Sequence, residues 1–262
     1  MNSFWLKILG ILCMTMDHIG VYIYKLPIGI HPLRVIGRIA APLFLYVTVN
    51  SLYYTKHKKI YLARLYCFHV VIGFFAEIIF EFGNKYFGQY EQFSIFPMFI
   101  YTILIVLCIE NYRNSEKEYW VKRIIELFLK LVAIILVPFI VVSLFPGYEN
   151  LLNIVIPNIL IVPYSPFFII MGVLWYFFRN KRTQVLVLCV FSFLSLVGTY
   201  IFSYMNSWVF TSYFNANQFW MILFAPILLL YDGKKGKNSK WFFYLYYPIH
   251  IFFLMFVGNI AN

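Results

Sequence analysis

The chain has 262 residues, of which 63% are hydrophobic and only 12% are charged, and its mean hydropathy is +0.79. A soluble domain is typically about 45–50% apolar and about a quarter charged, so this composition excludes an ordinary soluble protein. The net charge of +11 would favour nucleic-acid binding in a soluble protein, but here the basic residues cluster beside apolar runs. That distribution is typical of membrane anchoring, and we expect contact with membrane lipid and no nucleic-acid partner.

Apolar runs of membrane-spanning length recur from one end of the chain to the other. They predict an all-α, polytopic transmembrane helix bundle that forms one domain over residues 1–262. The span at 151–178 contains three prolines and is expected to be broken or partly re-entrant, and an aromatic-rich segment at 205–215 leaves a count of ten spans open. The nine predicted spans are 5–24, 33–54, 60–82, 92–109, 121–145, 151–178, 184–204, 216–231 and 241–260.

Four groups of basic residues lie in or beside every second gap between these spans. The positive-inside rule assigns such groups to the cytoplasm. The protein is then a multi-pass cell-membrane protein with a cytoplasmic amino terminus and, if there are nine spans, an external carboxyl terminus. The groups are Lys56, Lys58 and Lys59; Arg113, Lys117, Lys122 and Arg123; Arg179, Lys181 and Arg182; and Lys234, Lys235, Lys237 and Lys240.

The first span, expected to be a true span and not a cleaved signal, carries Asp17 and His18 side by side. Ionisable groups at membrane depth are costly, by about 2.5–3.5 kcal/mol for an Asp, so they indicate a functional site by default. Lys7 precedes His18 by eleven positions, so the two share a helix face and lie about 16 Å apart. An acyl-coenzyme A, with an anionic end and a distant reactive thioester, fits that geometry.

Histidine accepts protons near neutral pH, and a positioned base assists the attack of an amine or hydroxyl on a thioester. His18 is therefore a candidate base, and Asp17 is a candidate partner, although neighbouring residues of a helix point about 100° apart. The structural alternatives are snorkelling of Lys7 to the interface and a polar contact between helices made by Asp17 and His18.

The second span carries two arginines, Arg34 and Arg38, one helical turn apart near its outer end. Arg38 is expected to pair with Asp17 or to hold a carboxylate or phosphate. Asn50, late in the same span, and Arg64, early in the third span, lie near the cytoplasmic surface. Snorkelling to the interface is an adequate alternative for Arg34 and Arg64.

Histidine recurs at two further places within spans. His250 lies near the middle of the last span, in the sequence Tyr247-Pro248-Ile249-His250. His69 lies in the third span and is expected to be a structural residue with satisfied hydrogen bonds. The four cysteines lie inside apolar runs without the spacing of metal ligands, so no metal site is expected.

Three stretches of the chain resemble the TraX family of bacterial membrane proteins. The match covers about the first seventy residues and the last forty-five. A basic residue, ten intervening residues and a histidine, the spacing of Lys7 and His18, is also similar to a pattern of the broader membrane acyltransferases, which usually have arginine at the first position. The stretches are Leu6-Lys7-Ile8 to Met16-Asp17-His18-Ile19-Gly20; Leu33-Arg34-Val35-Ile36-Gly37-Arg38-Ile39-Ala40; and Leu230-Tyr231-Asp232-Gly233-Lys234-Lys235-Gly236 followed by Tyr247-Pro248-Ile249-His250.

The resemblance implies an integral membrane acetyltransferase with acetyl-coenzyme A as donor, since founding members of the family acetylate the amino terminus of conjugative pilin. Carried over to this chain, His18 is the catalytic base, Asp17 is its neighbour in the site, and His250 is a further residue of the catalytic site. The acceptor is not carried over, and pilin is one candidate. The candidate residues for binding acetyl-CoA are Lys7, Arg34, Arg38, Asn50, Arg64 and Tyr247.

We therefore expect transfer of an acetyl group from cytoplasmic acetyl-CoA to an amine, such as a protein amino terminus, or to a hydroxyl of a surface-destined acceptor such as a glycan. Two alternatives remain open. In a proton-coupled transporter of small solutes, Asp17, His18 and Arg38 would form a proton relay, although the chain shows no internal repeat. A non-catalytic membrane subunit of a surface-assembly system would tolerate loss of Asp17 and His18.

Overall fold

A computed structural model describes residues 1–24, 31–87, 94–114, 120–159, 165–204, 216–237 and 240–261. Within these ranges every regular element is a helix, which confirms the predicted all-α class. A π-helix, Ile19–Ile23, extends the first α-helix, and a 3-10 helix, Ala216–Leu223, precedes the tenth. The α-helices are α1 (Ser3–His18), α2 (Pro32–Gly37), α3 (Ala40–Tyr54), α4 (Lys58–Phe87), α5 (Phe96–Asn114), α6 (Trp120–Leu144), α7 (Glu149–Val155), α8 (Ser165–Phe177), α9 (Lys181–Tyr204), α10 (Phe224–Leu230) and α11 (Lys240–Ala261).

Seven helical stretches among the described residues are long and apolar enough to cross a membrane, and the protein is a membrane-embedded helix bundle. Two shorter apolar helices, Pro166–Phe177 and Asn217–Leu230, fall within the sixth and eighth predicted spans. The number of helices that cross the bilayer completely stays a prediction. The seven long stretches are Ser3–Ile23, Pro32–Tyr54, Lys58–Ile79, Phe96–Asn114, Trp120–Leu144, Lys181–Ile201 and Trp241–Ile260.

The sixth predicted span is interrupted, as its prolines indicate. Helix α7 ends at Val155, and α8 begins ten residues later. Tyr66 of α4 donates a hydrogen bond of 2.6 Å to the carbonyl of Val155, and Tyr101 of α5 donates to the carbonyl of Pro157. Neighbouring helices thus satisfy carbonyls of irregular backbone, which is the condition for such backbone at membrane depth.

The eighth predicted span is short and changes its helical type along its length. It begins as the 3-10 helix and continues as α10. The segment 205–215 before it, whose Trp208 and Tyr213 are expected at the membrane interface, lies outside the described residues. A tenth span therefore stays a prediction from the sequence.

The basic clusters gather at the end of the bundle where the amino terminus lies. Lys58 at the start of α4 contacts Glu110 of α5 at 2.5 Å and the Tyr176 hydroxyl of α8 at 2.6 Å. Lys181 at the start of α9 donates to the carbonyl of Tyr231, and the backbone of the amino terminus pairs with the loop after α10. We call this the basic end of the bundle; it holds the loops 55–57, 178–180 and 231–237.

Helix α3 is central and α6 is peripheral. Most residues of α3 are buried, and Leu43, Leu45 and Leu52 have no exposed surface. Helices α1, α5 and α8 pack around α3, whereas α6 packs on α5 and α7. Pro138 is the one residue that α6 buries, and most of the other residues of this apolar helix are exposed on the outside of the bundle.

Candidate functional site

Asp17, near the end of α1, lies between two arginines of the next helical segment. Its Oδ1 is 2.6 Å from Arg34 Nη1, and its Oδ2 is 2.7 Å from Arg38 Nη2, which also reaches Oδ1 at 2.9 Å. The exposed fractions of Asp17, Arg34 and Arg38 are only 5%, 7% and 8%. The pairing of Arg38 with Asp17 is one of the two roles expected for Arg38, and the one-turn spacing brings Arg34 to the same carboxylate.

Gly37 lets the arginine-bearing helix approach Asp17 this closely. Pro32 starts α2, where its fixed φ suits the first helical turn, and the helix lies directly against α1. A Cβ atom at Gly37 would stand 2.3 Å from the Cβ of Asp17. Any larger residue at position 37 would therefore displace the carboxylate from both arginines.

The Asp17 cluster, defined as Asp17, Arg34 and Arg38, is built as a structural ion pair. Both carboxylate oxygens accept hydrogen bonds from guanidinium groups, and Arg38 Nη1 also donates to Gln218 Oε1 at 3.4 Å. Removing one partner of a buried ion pair costs about 3–5 kcal/mol, because the other charge is left without compensation. Asp17 is thus occupied by protein cations and is not placed to accept a substrate proton.

His18 points away from the Asp17 cluster and meets a histidine from the last helix. His18 Nδ1 lies 2.8 Å from Nε2 of His250 in α11, although the two residues are 232 positions apart. The two ring planes differ by only 17°. His250 is buried, whereas His18 is partly exposed. The structure therefore joins two of the candidate catalytic residues and separates Asp17 from both.

The hydrogen bonds of the histidine pair fix where its protons lie. His250 Nδ1 is 2.8 Å from the carbonyl oxygen of Tyr246, which only accepts, so Nδ1 carries the proton. Neutral His250 then has a lone pair on Nε2 and accepts from His18 Nδ1–H. The Nε2 atom of neutral His18 is left with a lone pair, and no described residue hydrogen-bonds it. This is the arrangement of a positioned base.

The contact between α1 and α11 is fixed on both sides of the histidine pair. Toward the basic end, Thr15 Oγ1 and the Tyr246 hydroxyl are 2.7 Å apart. Beyond the pair, α1 continues as the π-helix Ile19–Ile23, a type of turn that is frequent at functional sites. Gly258 of α11 packs on that turn so closely that a Cβ would lie 2.0 Å from the carbonyl oxygen of Tyr22.

A cavity of about 370 Å³ lies among α1, α3, α4, α5 and α11. On α1 it is lined by Lys7, Ile11 and Met14, and His18 continues this spacing by one more turn. The helix face that Lys7 and His18 are predicted to share is therefore the face turned toward this cavity.

The two ends of the cavity differ in chemistry. Lys7, Arg64 and Lys235 line it near the basic end, and three cations favour the binding of phosphate groups. Tyr247 lines it at the opposite end, where the Tyr247 ring lies 6.1 Å from the ring of His250. The histidine pair thus lies beyond Tyr247, next to the cavity but outside its lining.

Asn50 lies away from this cavity. Its Nδ2 donates to the Tyr231 hydroxyl at 2.7 Å, and its Oδ1 accepts from Arg179 Nη2 at 2.6 Å. The Arg179 guanidinium also lies 4.1 Å from the centre of the Tyr53 ring. The Asn50 side chain therefore joins α3 to the loops beside α9 and α10, apart from the other candidate binding residues.

The structure sorts the remaining candidates into three groups and adds two residues that the sequence did not single out. Lys235 belongs to a basic cluster that the sequence explains as a topology anchor, and Gln218 is a polar residue in a short predicted span. Among the described residues, no three His, Cys, Asp or Glu side chains gather as a metal site would require. The three groups are Lys7, Arg64 and Tyr247 at the cavity; His18 and His250 in the pair; and Asp17, Arg34 and Arg38 in the cluster.

The loop that brings Lys235 to the cavity is ordered by Asp232. The Lys234 N–H donates to Asp232 Oδ1 at 2.9 Å, and this bond lowers the pKa of the carboxyl below its usual value. The amino-terminal ammonium lies 3.7 Å from Oδ2 of the same side chain. A charged Asp232 therefore holds the loop against the start of α1, where Lys7 lies.

Comparison with known proteins gives a match to the family model described as TraX protein over residues 3–258. The chain is 24% identical over 259 residues to a protein of Dichelobacter nodosus named probable fimbrial assembly protein FimC, serogroup H1, covering 95% of this chain and 93% of that protein. It is 34% identical over 76 residues to an uncharacterised protein of Rickettsia prowazekii (strain Madrid E), covering 29% and 27% of the two chains. No solved structure matches.

Proposed function

Because the chain belongs to the TraX family, we propose that it is a membrane acetyltransferase that moves an acetyl group from acetyl-CoA to an amine or hydroxyl of a surface-destined acceptor. The observation that carries the proposal is the His18–His250 pair, which leaves His18 Nε2 open to a proton beside a cavity bordered by three cations. The name of the Dichelobacter relative supports an acceptor in a surface fibre, such as the amino terminus of a pilin subunit.

In the proposed reaction, His18 acts as general base. The acceptor nitrogen or oxygen attacks the thioester carbonyl carbon, and His18 Nε2 takes the proton that the acceptor loses. The carbon–sulfur bond then breaks, the acetyl group stays on the acceptor, and the coenzyme A thiolate leaves. The proton held by His18 passes to that thiolate, which restores the neutral imidazole. His250 touches His18 and not the substrate, so it is a positioning residue in this scheme.

The cavity provides the proposed donor site. Lys7, Arg64 and Lys235 would pair with phosphate groups near the basic end, and the acyl arm would follow the face of α1 toward His18. Lys7 and His18 lie about 16 Å apart along that face, which suits an elongated donor. Reaching His18 from this cavity requires the Tyr247 ring, which lies between, to turn aside.

The basic end is proposed to face the cytoplasm, with the amino terminus on the same side. Its loops carry lysines and arginines from three of the four basic clusters that the positive-inside rule assigns to the cytoplasm. The donor cavity then opens toward the compartment that holds acetyl-CoA. The histidine pair lies nearer the outer surface, where a surface-destined acceptor would arrive.

The proposal is tested by mass spectrometry of surface and membrane-anchored proteins and glycans from matched strains. The strains carry the wild-type protein, His18→Ala, His69→Ala or a deletion of the gene. We expect a species heavier by one acetyl group with wild type and with His69→Ala, because His69 lies in α4 and contacts Ser94 instead of the pair. With His18→Ala, the rate of transfer should fall by about 10²–10⁴-fold.

Equal expression and membrane insertion of the variants must be measured first, so that loss of the protein is not read as loss of chemistry. An acetylated species that forms with His18→Ala at the wild-type rate would remove His18 from the mechanism. The absence of any acyl difference between wild type and deletion would favour a non-catalytic assembly subunit or a transporter, and uptake of labelled solute by proteoliposomes would be measured next.

A further inference from the structure

A second cavity, of about 570 Å³, lies between α4, α5 and α6, and neither histidine of the pair lines it. Its walls are almost entirely apolar, and they include Leu62 and Ala63 of α4, Leu104 of α5, and Ile134 and Val137 of α6. Helix α6 packs on α5 and α7, and it faces α4 across this space. We call it the α4–α6 slot. Its volume is typical of sites for small organic ligands.

The deep end of the slot is closed by the interrupted sixth span. Val155 and Pro157 line it there, and their carbonyls accept hydrogen bonds from the hydroxyls of Tyr66 and Tyr101. These two carbonyls are therefore already paired within the protein. A ligand in the slot would contact mainly apolar side chains, which favours an apolar chain over a polar group.

The other end of the slot carries a positive charge. Lys59 lines the slot near the basic end, is exposed and has no ion-pair partner among the described residues. Its neighbour Lys58, by contrast, is held by Glu110 and Tyr176. Lys59 and Tyr66 are seven residues apart, so the slot extends about 10 Å along α4 from the charged end to the closed one.

From this charge and shape we propose that the α4–α6 slot binds an anionic phospholipid. The phosphate group lies on Lys59 at the membrane surface, and one acyl chain lies in the slot, with its end toward the backbone of Val155 and Pro157. The slot extends about 10 Å along α4, which is less than half the thickness of the hydrocarbon core of a bilayer. An acyl chain of a lipid in the leaflet at the basic end therefore reaches the whole slot without distortion. The proposal does not depend on acetyl transfer.

The test is native mass spectrometry of the purified full-length protein with phosphatidylglycerol and phosphatidylcholine of identical acyl chains. We expect phosphatidylglycerol to bind about fivefold more tightly, the effect of one lysine near an anionic headgroup. Lys59→Gln should remove this preference. Lys56→Gln is the matched control, because Lys56 is an exposed lysine of the loop just before α4 and does not line the slot.

The role of the acyl chain is tested by filling the slot. Ala63→Phe should weaken the binding of both lipids by at least about tenfold, because the added ring occupies the space of the chain. Val71→Phe, on the same helix but on a surface that is 65% exposed and outside the slot, should leave binding unchanged. If Ala63→Phe fails to fold, Ala133→Phe fills the slot from α6.

Three results would overturn the proposal. The first is equal affinity for the two lipids, and the second is an equal loss of preference in the Lys59 and Lys56 variants. The third is complete displacement of the lipid by free glycerol 3-phosphate, which would show that only the headgroup is bound at the surface.

Discussion

The two neighbours Asp17 and His18 belong to different side-chain arrangements, the Asp17 cluster and the histidine pair. Asp17 lies between α1 and α2, where two guanidinium groups engage both oxygens of its carboxylate. His18 lies between α1 and α11, where one nitrogen of its ring donates to a neutral histidine and the other stays open. In the first arrangement the groups are charged and both carboxylate oxygens are occupied, whereas in the second the rings are neutral and His18 Nε2 has no hydrogen-bond partner among the described residues.

Under the proposed function, this difference lets one short motif contribute to stability through Asp17 and to catalysis through His18. A buried carboxylate that both arginines need cannot change its protonation state without losing the ion pairs. An imidazole at the end of a hydrogen-bonded chain accepts a proton at its open nitrogen without disturbing its partner. The helix periodicity, which turns adjacent side chains about 100° apart, directs Asp17 and His18 to different partners.

The largest effect that distinguishes the Asp17 cluster from the histidine pair is an expected loss of stability when Asp17 is replaced. Replacing Asp17 by Asn removes the buried carboxylate that Arg34 and Arg38 share, so the free energy of unfolding should fall by about 3–5 kcal/mol. The measurement is reversible unfolding of the purified protein in mixed detergent micelles. Glu110→Gln is the matched control, since the side chains of the Lys58–Glu110 pair are 23% and 24% exposed and should lose less.

The same experiment contains its own internal check. Adding Arg38→Gln to Asp17→Asn should recover part of the lost stability, because one of the two buried charges that lost their contact with Asp17 is removed. A stable Asp17→Asn protein, or a double variant no more stable than the single one, would show that Asp17 is not held by its arginines.

How much of the candidate site the sequence predicts depends on how far apart along the chain the contacting residues lie. The shared face of Lys7 and His18 and the joint position of Arg34 and Arg38 follow from helix periodicity alone, and the structure bears out both. The contact between His18 and His250 joins the first helix to the last across 232 residues, and no local pattern specifies which helices become neighbours.

Lys235 illustrates a second limit. A lysine in a loop has no periodicity to show where it points, and the positive-inside rule accounts for it fully as an anchor. Its position at the cavity depends on the contacts of the loop with the amino terminus and on the Asp232 carboxyl. Asn50 is the converse case, because its place at the end of α3 suggests donor binding while its partners make it a connector.

The next effect, on catalysis, is expected at His250. His250→Ala leaves His18 Nδ1–H without its acceptor, so the imidazole is no longer oriented and kcat should fall about 10–100-fold with little change in KM. His250→Gln offers an amide oxygen to the same N–H and should restore a large part of kcat. The readout is steady-state kinetics of purified protein with labelled acetyl-CoA.

A positioning role and a merely structural one give different results here. If His250 only fills space, Ala and Gln should act through stability, and the free energy of unfolding would fall together with activity. An alanine variant with normal kcat would show that His18 does not need this partner.

The smallest effect is expected at Lys235 and concerns binding of the donor alone. Lys235 is exposed at the basic end of the cavity, so losing its charge should raise KM for acetyl-CoA about fivefold and leave kcat unchanged, since the contact is equal in ground and transition states. Lys234→Gln, next in the chain but outside the cavity, is the control. The difference between the two variants should shrink at high salt, because exposed charges are screened. Equal changes in KM for both variants would mean that the loop attracts the donor by its total charge. The cavity would then not be supported as the binding site of the phosphate groups, while the argument for His18 and His250 would stand unchanged.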